Sequence, residues 1–565
     1  MKGFTLIELL AVLIILGIVT MITVPIISNQ ISSAKDKAYD EQINRIEEIS
    51  RNWGVSNTEL LPDEGETYFL TLDKLKEAGL LDEKELRNPK DSSIMTGCIV
   101  IKFDNDTNQY SYKYNEKNCN MYIEKINDKQ ISYPILDDGM IAIKYENDKA
   151  YVANISDEWY SYKNSKWANA IVVKEDKKKD YVVGKEVVED DVLAYFVWIP
   201  RYEYTVKSSY GVNGEDISNP GYIDIRFSKI NEKSTGDANY TGDVLENWRT
   251  QDGFTLGDEE LPGIWVGKFQ TGYGTNISGY PNNIVIENPT IKPNVTSLRY
   301  QNVSTQYEQA KVFNNYGIKN ESRLMKSDEW NTVAILSQSL YGRCQNDGSC
   351  PEVRRNNNSS YITGYSEVNR RSKDYGTDSS ITQPYNTSVG KEASTTGNIT
   401  GVYDMNGCAY EFVMGVLSDE KGNARSGYSA ITYTSEQAKT ILGRTDNIAV
   451  GIWNSGFNGK VYGKSLDGKE LYVTDGKNFP DSKYYNLYTA NNINTGCNGE
   501  KCYGLIETWG WYNELAVMPW EQASWMIRGG HFNRGIKSGI WHINVNSGGE
   551  NNYTSFRVVI TPSYT

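Results

Sequence analysis

Met1-Lys2-Gly3-Phe4-Thr5-Leu6-Ile7-Glu8 opens the chain, and Leu9 to Ile27 follow without a charge. Those nineteen residues would measure about 28 Å as a helix, enough to cross a bilayer core. A secretory signal has a shorter apolar core with a small-x-small cleavage site after it, which Ser32-Ser33-Ala34 imitates. A plain membrane anchor accounts for the apolar run but not for Glu8. A carboxylate at the edge of such a run costs up to about 3 kcal/mol and is usually functional. Further on, Ile27, Ile31, Ala34, Ala38, Ile43, Ile46, Ile49 and Trp53 recur at helical spacing with charges between them, up to Gly54. That pattern predicts an amphipathic continuation of the same helix.

The stretch Gly3-Phe4-Thr5-Leu6-Ile7-Glu8 resembles the class III signal of type IV prepilins and pseudopilins. The resemblance implies a leader of residues 1–3, cut by a prepilin peptidase between Gly3 and Phe4, with Phe4 then methylated. Glu8 would pair with the N-terminal amine of a neighbouring subunit. Pro25 matches the proline that kinks this helix in the family. Residues 4–53 are thus expected as a transmembrane pilin helix that contacts other pilin subunits. The implied location is a single-pass cell membrane protein before assembly, and the extracellular pilus or cell surface afterwards.

Composition narrows the chemistry. Lys and Arg number 58 and Asp and Glu 72, so 58 − 72 leaves −14 over 565 residues. No direct nucleic-acid binding is expected of so acidic a chain. There are two histidines, His531 and His542, too few for metal centres that need several imidazoles. The 41 Tyr and 13 Trp suit a binding surface, although an AT-rich genome also raises Tyr. Seven cysteines group as Cys98/Cys119, Cys344/Cys350 and Cys497/Cys502, leaving Cys408 alone. Disulfides in an exported protein explain this grouping, and closing the first loop would contribute about 3 kcal/mol. Scattered reduced thiols are the alternative.

Residues 54–130 read as a small α+β head. It has a short helix over Thr71–Gly79 and a hairpin of Cys98–Phe103 with Gln109–Tyr114, turning at Asp104-Asn105-Asp106. Residues 131–194 read as a β-rich connecting module. The rest carries ordered landmarks: Gly263-Ile264-Trp265-Val266-Gly267, a helix entrance capped by Ser327, Gly401-Val402-Tyr403-Asp404-Met405-Asn406-Gly407-Cys408-Ala409-Tyr410-Glu411, Arg528-Gly529-Gly530 and Ser555-Phe556-Arg557. This series resembles the formylglycine-generating, sulfatase-modifying-factor family, a variant of the C-type lectin fold, over residues 195–565. The expected fold class is therefore α+β: a long N-terminal transmembrane pilin helix, a small pilin-like head and a large irregular C-type-lectin-like domain.

The family's enzymes bind copper through a cysteine pair between Arg-Gly-Gly and the closing Phe-Arg, and iron-dependent relatives use several histidines. Residues 531–555 contain no cysteine, so neither copper, iron nor enzymatic activity is expected. The resemblance also implies a calcium site at Asn406, Gly407, Ala409 and Glu411, built from carbonyls and one acid, with Cys408 in place of the usual Asn. Glu411 as a plain buried acid is the alternative. Arg528 is expected to pair with a buried acid or carbonyl, and Trp509, Trp511, Trp520 and Trp525 to be core. The loop after it offers Asn533, Arg534, Lys537, Trp541, His542, Asn544, Asn546, Glu550, Asn552 and Tyr553. Aromatic anchors among amides make either a binding face for a surface glycan or protein ligand, or an ordinary hydrated loop.

The expected function is a non-enzymatic minor type IV pilin-like surface protein with a lectin-like adhesion domain. A pseudopilin of a secretion or DNA-uptake system, and a membrane-anchored formylglycine-generating-type oxidase, are the alternatives. N-terminal sequencing of protein from its native membrane should begin at Phe4; a chain that begins at Lys35 would sink the prepilin reading.

Overall fold

The computed structural model describes residues 6–562 apart from 64–65, 83, 105–106, 117–118, 120, 128, 207–217, 219, 231–247, 275–281, 369–381, 419–423, 425–428, 434–447, 453–454, 458–459, 466–469, 475–476 and 490–503. For 6–29, 429–433, 448–452, 460–465 and 470–474 it describes the backbone alone. The chain divides after Met121 into two compact units.

In the first unit, α1 (Leu6–Ser56) buries Ile46 and Trp53 in a core with Leu70, Ile99, Ile101 and Tyr112. These come from β1 (Thr67–Thr71), β2 (Cys98–Asp104) and β3 (Gln109–Asn115), an antiparallel sheet in that order. Gly54 does not stop α1, which runs two residues further. Its role is close approach, since a Cβ there would lie 2.0 Å from the Tyr112 hydroxyl. The short helix α2 (Leu72–Glu77) is capped by Thr71, whose side chain accepts from the Lys74 N–H. Cys98 and Cys119 are bridged.

The expected fold class is overturned. Among the described residues no helix is long and apolar enough to cross a membrane. From residue 30 onward α1 carries Lys35, Asp36, Lys37, Asp40, Glu41, Arg45, Glu47, Glu48 and Arg51, a density of charge that a bilayer core rejects. Gly3 and Phe4 lie outside the described residues, and Glu8 and Pro25 fall where no side chain is described. The large domain, expected to be irregular, is built mainly of ordered sheets.

Its elements are β4 (Ile141–Glu146), β5 (Lys149–Val152), β6 (Asn169–Val173), β7 (Val192–Pro200), β8 (Gly263–Gly267), α3 (Val303–Lys311), β9 (Ser322–Leu324), α4 (Ser327–Ser337), β10 (Tyr410–Leu417), β11 (Asn486–Tyr488), β12 (Trp525–Gly529), β13 (Gly539–Asn546), β14 (Thr554–Phe556) and β15 (Val558–Ile560). A seven-stranded sheet runs β9-β15-β8-β7-β6-β4-β5. Central β7, Val-Leu-Ala-Tyr-Phe-Val-Trp-Ile-Pro, is buried almost throughout, as a strand covered on both faces must be. Strands from 131–194 and from 195–565 thus share one sheet, so those stretches form one unit rather than a connector and a domain. The indole N–H groups of Trp198 and Trp265 donate to the carbonyls of Ser132 and Ile135 at 2.9 and 2.6 Å. A further four-stranded sheet comprises Ser429–Tyr433, Ile448–Ile452, Lys460–Ser465 and Glu470–Thr474.

The cap of α4 is Lys326, one residue before the expected Ser327; its N–H donates to Glu329 at 2.8 Å. A second sheet runs β11-β10-β12-β13, with β14 also beside β10. Between β14, in this sheet, and β15, in the large one, stands fully buried Arg557. It donates to both oxygens of Glu411 at 3.0 and 2.5 Å, to the Gly267 carbonyl at 2.7 Å and to the Tyr403 carbonyl at 2.9 Å. Cys344 and Cys350 are bridged, Cys408 is free and buried, and Cys497 and Cys502 lie outside the described residues.

Removing one partner of a buried ion pair leaves the other charge uncompensated. Arg557→Met should therefore cost about 3–5 kcal/mol in urea unfolding. Glu411→Gln added to it should cost less than the sum of the two single changes.

Candidate functional site

Strand β13 alternates its side chains between two faces. On one face Trp541 is buried, its ring 5.1 Å from Trp511 and edge-on to it, and its backbone N–H donates to Glu514 at 2.8 Å. On the other, buried His542 packs 5.4 Å from the Tyr410 ring, and the Asn544 amide donates to the Tyr410 hydroxyl at 3.4 Å. Trp541 and His542 are thus corrected from ligand contacts to core residues, because the strand turns both away from solvent. Trp511 and Trp525 are core as expected, whereas Trp520 is exposed.

The Arg528-Gly529-Gly530 turn holds the following loop against this face. Arg528 is fully buried, donates to the His542 carbonyl at 2.9 Å and to Asn331 at 3.0 Å, and lies over the Trp330 ring. It pairs with a carbonyl, as the sequence suggested. Gly530 has φ +72°, and a Cβ there would lie 2.4 Å from the Ser538 hydroxyl, so the loop closes only on glycine. It then delivers half-buried His531, Phe532, Asn533 and Arg534. His531 lies 5.0 Å from Tyr410, 5.4 Å from Phe532 and stacks on Tyr553 at 6.0 Å. Phe532 meets Tyr361 edge-on at 5.0 Å, and the Arg299 guanidinium lies 3.8 Å from the centre of the Tyr361 ring. The Arg534 guanidinium lies 5.8 Å from that of Tyr410.

Of the remaining residues expected in this face, Tyr553, Glu550 and Asn552 are exposed and Asn546 is half-buried. The Asn552 carbonyl accepts from Arg299, and Asn546 accepts from the Gly548 N–H at 2.9 Å. Arg299, Tyr300, Arg355, Tyr361 and Tyr410 were not expected here. The first four come from distant loops and Tyr410 opens β10, and Tyr361 directly follows the Asn356–Ser360 tract, which reads as a surface loop. Tyr300, Tyr361 and Cys408 have φ of 62°, 57° and 57°. Such backbone is uncommon outside glycine and costs about 1–3 kcal/mol at each position.

Of the expected calcium set, Glu411, Ala409 and Asn406 meet protein groups with atoms that would coordinate the ion. Both Glu411 oxygens accept from Arg557, and the Ala409 carbonyl accepts from Gln270 at 2.7 Å. The Asn406 carbonyl accepts from the Asn356 N–H at 2.7 Å, and the Gly407 N–H donates to Gly529. Among the described residues no group of three His, Cys, Asp or Glu stands in metal-holding proximity.

Burial pushes the His531 imidazole down to about 3, helped by the nearby Arg534 and Arg355 charges. Burial likewise holds His542 at about 3, with Arg528, Arg534 and His531 adding to it against the bond to the Lys537 carbonyl. Both rings are neutral at physiological pH. The Cys408 thiol is pushed well above its ordinary range by burial. A separate cleft of about 1100 Å³, lined by Tyr273, Ile284, Val285, Lys292 and Tyr316 among others, shares no residue with this cluster. No family model matches the chain, and no curated protein does.

Above the ordinary histidine value of 6.5, folded and unfolded His542 are both neutral and stability is independent of this proton. Below 6.5 the unfolded chain takes up the proton first, so stability falls until about pH 3, where the folded ring follows. The slope is at most about 1.4 kcal/mol per pH unit. Urea midpoints taken between about pH 7 and 5 should fall with pH, and His542→Gln should flatten the slope by roughly one proton.

Proposed function

We propose that the protein is a pilin-like, exported surface protein, non-enzymatic, whose large unit binds a surface glycan or protein ligand through the rim around His531 and Tyr553. The observation that carries this reading is the half-exposed aromatic rim of Tyr361, Phe532, His531 and Tyr553, built on left-handed backbone at Tyr300, Tyr361 and Cys408. Strain of this kind persists where surrounding structure over-determines it, and it gathers at functional sites. The two disulfides suit an oxidising compartment outside the cytoplasm. The pilin part rests on the resemblance of Gly3–Glu8 to prepilin signals, which implies processing between Gly3 and Phe4 and assembly with other pilin subunits.

The non-enzymatic part rests on the residue types present. Residues 531–555, the stretch where the resembled enzymes carry their cysteine pair, contain no cysteine, and Cys408 is a buried, protonated thiol.

Tyr553 and Trp541 separate binding from folding. Truncating an exposed anchor costs about 2 kcal/mol of affinity, roughly thirtyfold. Tyr553→Ala should weaken attachment of the full-length protein to cells or a glycan array by that factor, with the melting temperature unchanged. Trp541→Ala should instead cost about 3–5 kcal/mol of stability. Attachment by Tyr553→Ala at the wild-type level would remove the binding rim from this position.

A further inference from the structure

We infer that the cleft of about 1100 Å³ beside Ile284 and Val285 binds an extended peptide in which apolar and basic side chains alternate. Its wall is largely apolar, with Leu193, Tyr273 and Tyr316 facing the run Ile284-Val285-Ile286. Ile284 and Val285 are 54% and 39% exposed. Aliphatic side chains left open to water at a cleft, with charged groups around them, mark a surface that a partner covers.

Charge selects the partner. Glu175, Asp190 and Glu287 line the same cleft, and none of these three carboxylates has a hydrogen bond or ion pair among the described residues. Of the two lining cations, Lys292 is taken: its Nζ donates to the Glu189 carbonyl at 2.7 Å and stands 3.8 Å from the Glu189 carboxylate. Three open acids therefore stand against one open amine, Lys174, and a basic partner complements them. The backbone selects the partner's conformation. Gln309 brackets Ile286, accepting from its N–H at 2.6 Å and donating to its carbonyl at 2.9 Å, as a neighbouring strand would. The backbone groups of Val285 and Glu287, on either side, make no hydrogen bond among the described residues. An extended peptide pairs its own N–H and C=O groups with such open main chain and seats alternate side chains in the cleft. An acyl chain would leave both the backbone and the acids unanswered.

The test is selection of a random heptapeptide library on the full-length protein, followed by anisotropy titration of the enriched peptide. Enriched sequences should alternate Leu, Ile, Val or Phe with Lys or Arg. Exchanging the basic residues of that peptide for Glu should weaken binding about tenfold or more, and raising NaCl from about 50 to 500 mM should weaken the parent peptide. N-methylation of its central amides removes main-chain donors and should also cost about tenfold. Ile284→Asp should lower affinity about tenfold or more and Glu287→Lys about fivefold, with melting temperatures unchanged because both side chains are exposed. Tyr553→Ala, outside the cleft, should bind the peptide as the wild type does. A library that yields no enriched sequence would overturn the inference, as would peptides whose binding ignores Ile284→Asp and Glu287→Lys. Equal binding of the Glu-exchanged or N-methylated peptide would overturn it too. If Ile284→Asp instead converts a dimer to a monomer in sedimentation and leaves peptide binding unchanged, the cleft is a contact between copies and the inference falls. None of these outcomes bears on the rim around His531, whose reading stands or falls with cell attachment by Tyr553→Ala.

Discussion

Arg557 stands where the chain passes from one sheet to the other, and its guanidinium is the fastening on which the large unit depends. Residues on its N-terminal side, Thr554–Phe556, lie parallel to β10, and those on its C-terminal side, Val558–Ile560, enter the seven-stranded sheet. One side chain engages an acid of the smaller sheet, Glu411, and a carbonyl of the seven-stranded one, Gly267. The candidate site inherits this fixation. Tyr410 precedes Glu411 in sequence and Tyr553 precedes β14, and the Tyr410 N–H donates to the Tyr553 carbonyl at 2.9 Å. The centre of the cluster and its most exposed ring therefore sit directly beside the clamp.

The same device recurs. Arg323 with Glu329, Arg355 with Glu367 and Arg249 with Glu507 are paired with hardly any exposure. Taking two charges out of water costs several kcal/mol for each ion, so such pairs contribute little net stability. What they fix is arrangement, since a shifted strand would strand both charges. Lys268 follows the same logic without an acid. Its amine is fully buried, is pushed well below its ordinary range by burial, and donates to Asn169 and to the Ile399 carbonyl at 2.6 Å each. That contact ties the first residue of β6 to the loop before Tyr403.

Local features were legible in the sequence where a local cause dictates them. The β2–β3 hairpin, the α2 helix with Gly79 at φ +70° and the pairing of Arg528 with a carbonyl follow from alternation, capping and the glycine pair. The failures have a common cause in contacts distant along the chain. Ile-Trp-His-Ile-Asn-Val-Asn over 540–546 reads as polar and aromatic alternation suited to a surface. Both faces of its first half are covered, one by Trp511 and one by Tyr410, so Trp541 and His542 are interior. Likewise the shift to short aromatic strands near residue 132 looks like a boundary. The seven-stranded sheet makes it the start of the same core, and the division comes at Met121. The amphipathic continuation of α1 was legible in its spacing, and its apolar stripe packs onto a sheet.

Recognition by such a rim depends on whether its loops are fixed before a ligand arrives. Tyr300 donates its N–H to Asn551, Cys408 to Asn356, Phe532 to Cys408 and Gly407 to Gly529, at 2.7–3.0 Å. These backbone bonds join loops that are far apart in sequence, and two of the residues involved, Tyr300 and Cys408, hold left-handed backbone. Strained conformations survive only when their neighbours leave no alternative, so the loops cannot relax one at a time. Ordering a loop on binding costs about 0.5–1.5 kcal/mol for each immobilised side chain. Here that cost is already met during folding. A rim of modest area can then bind through a few contacts, because little of their free energy is lost to ordering the protein.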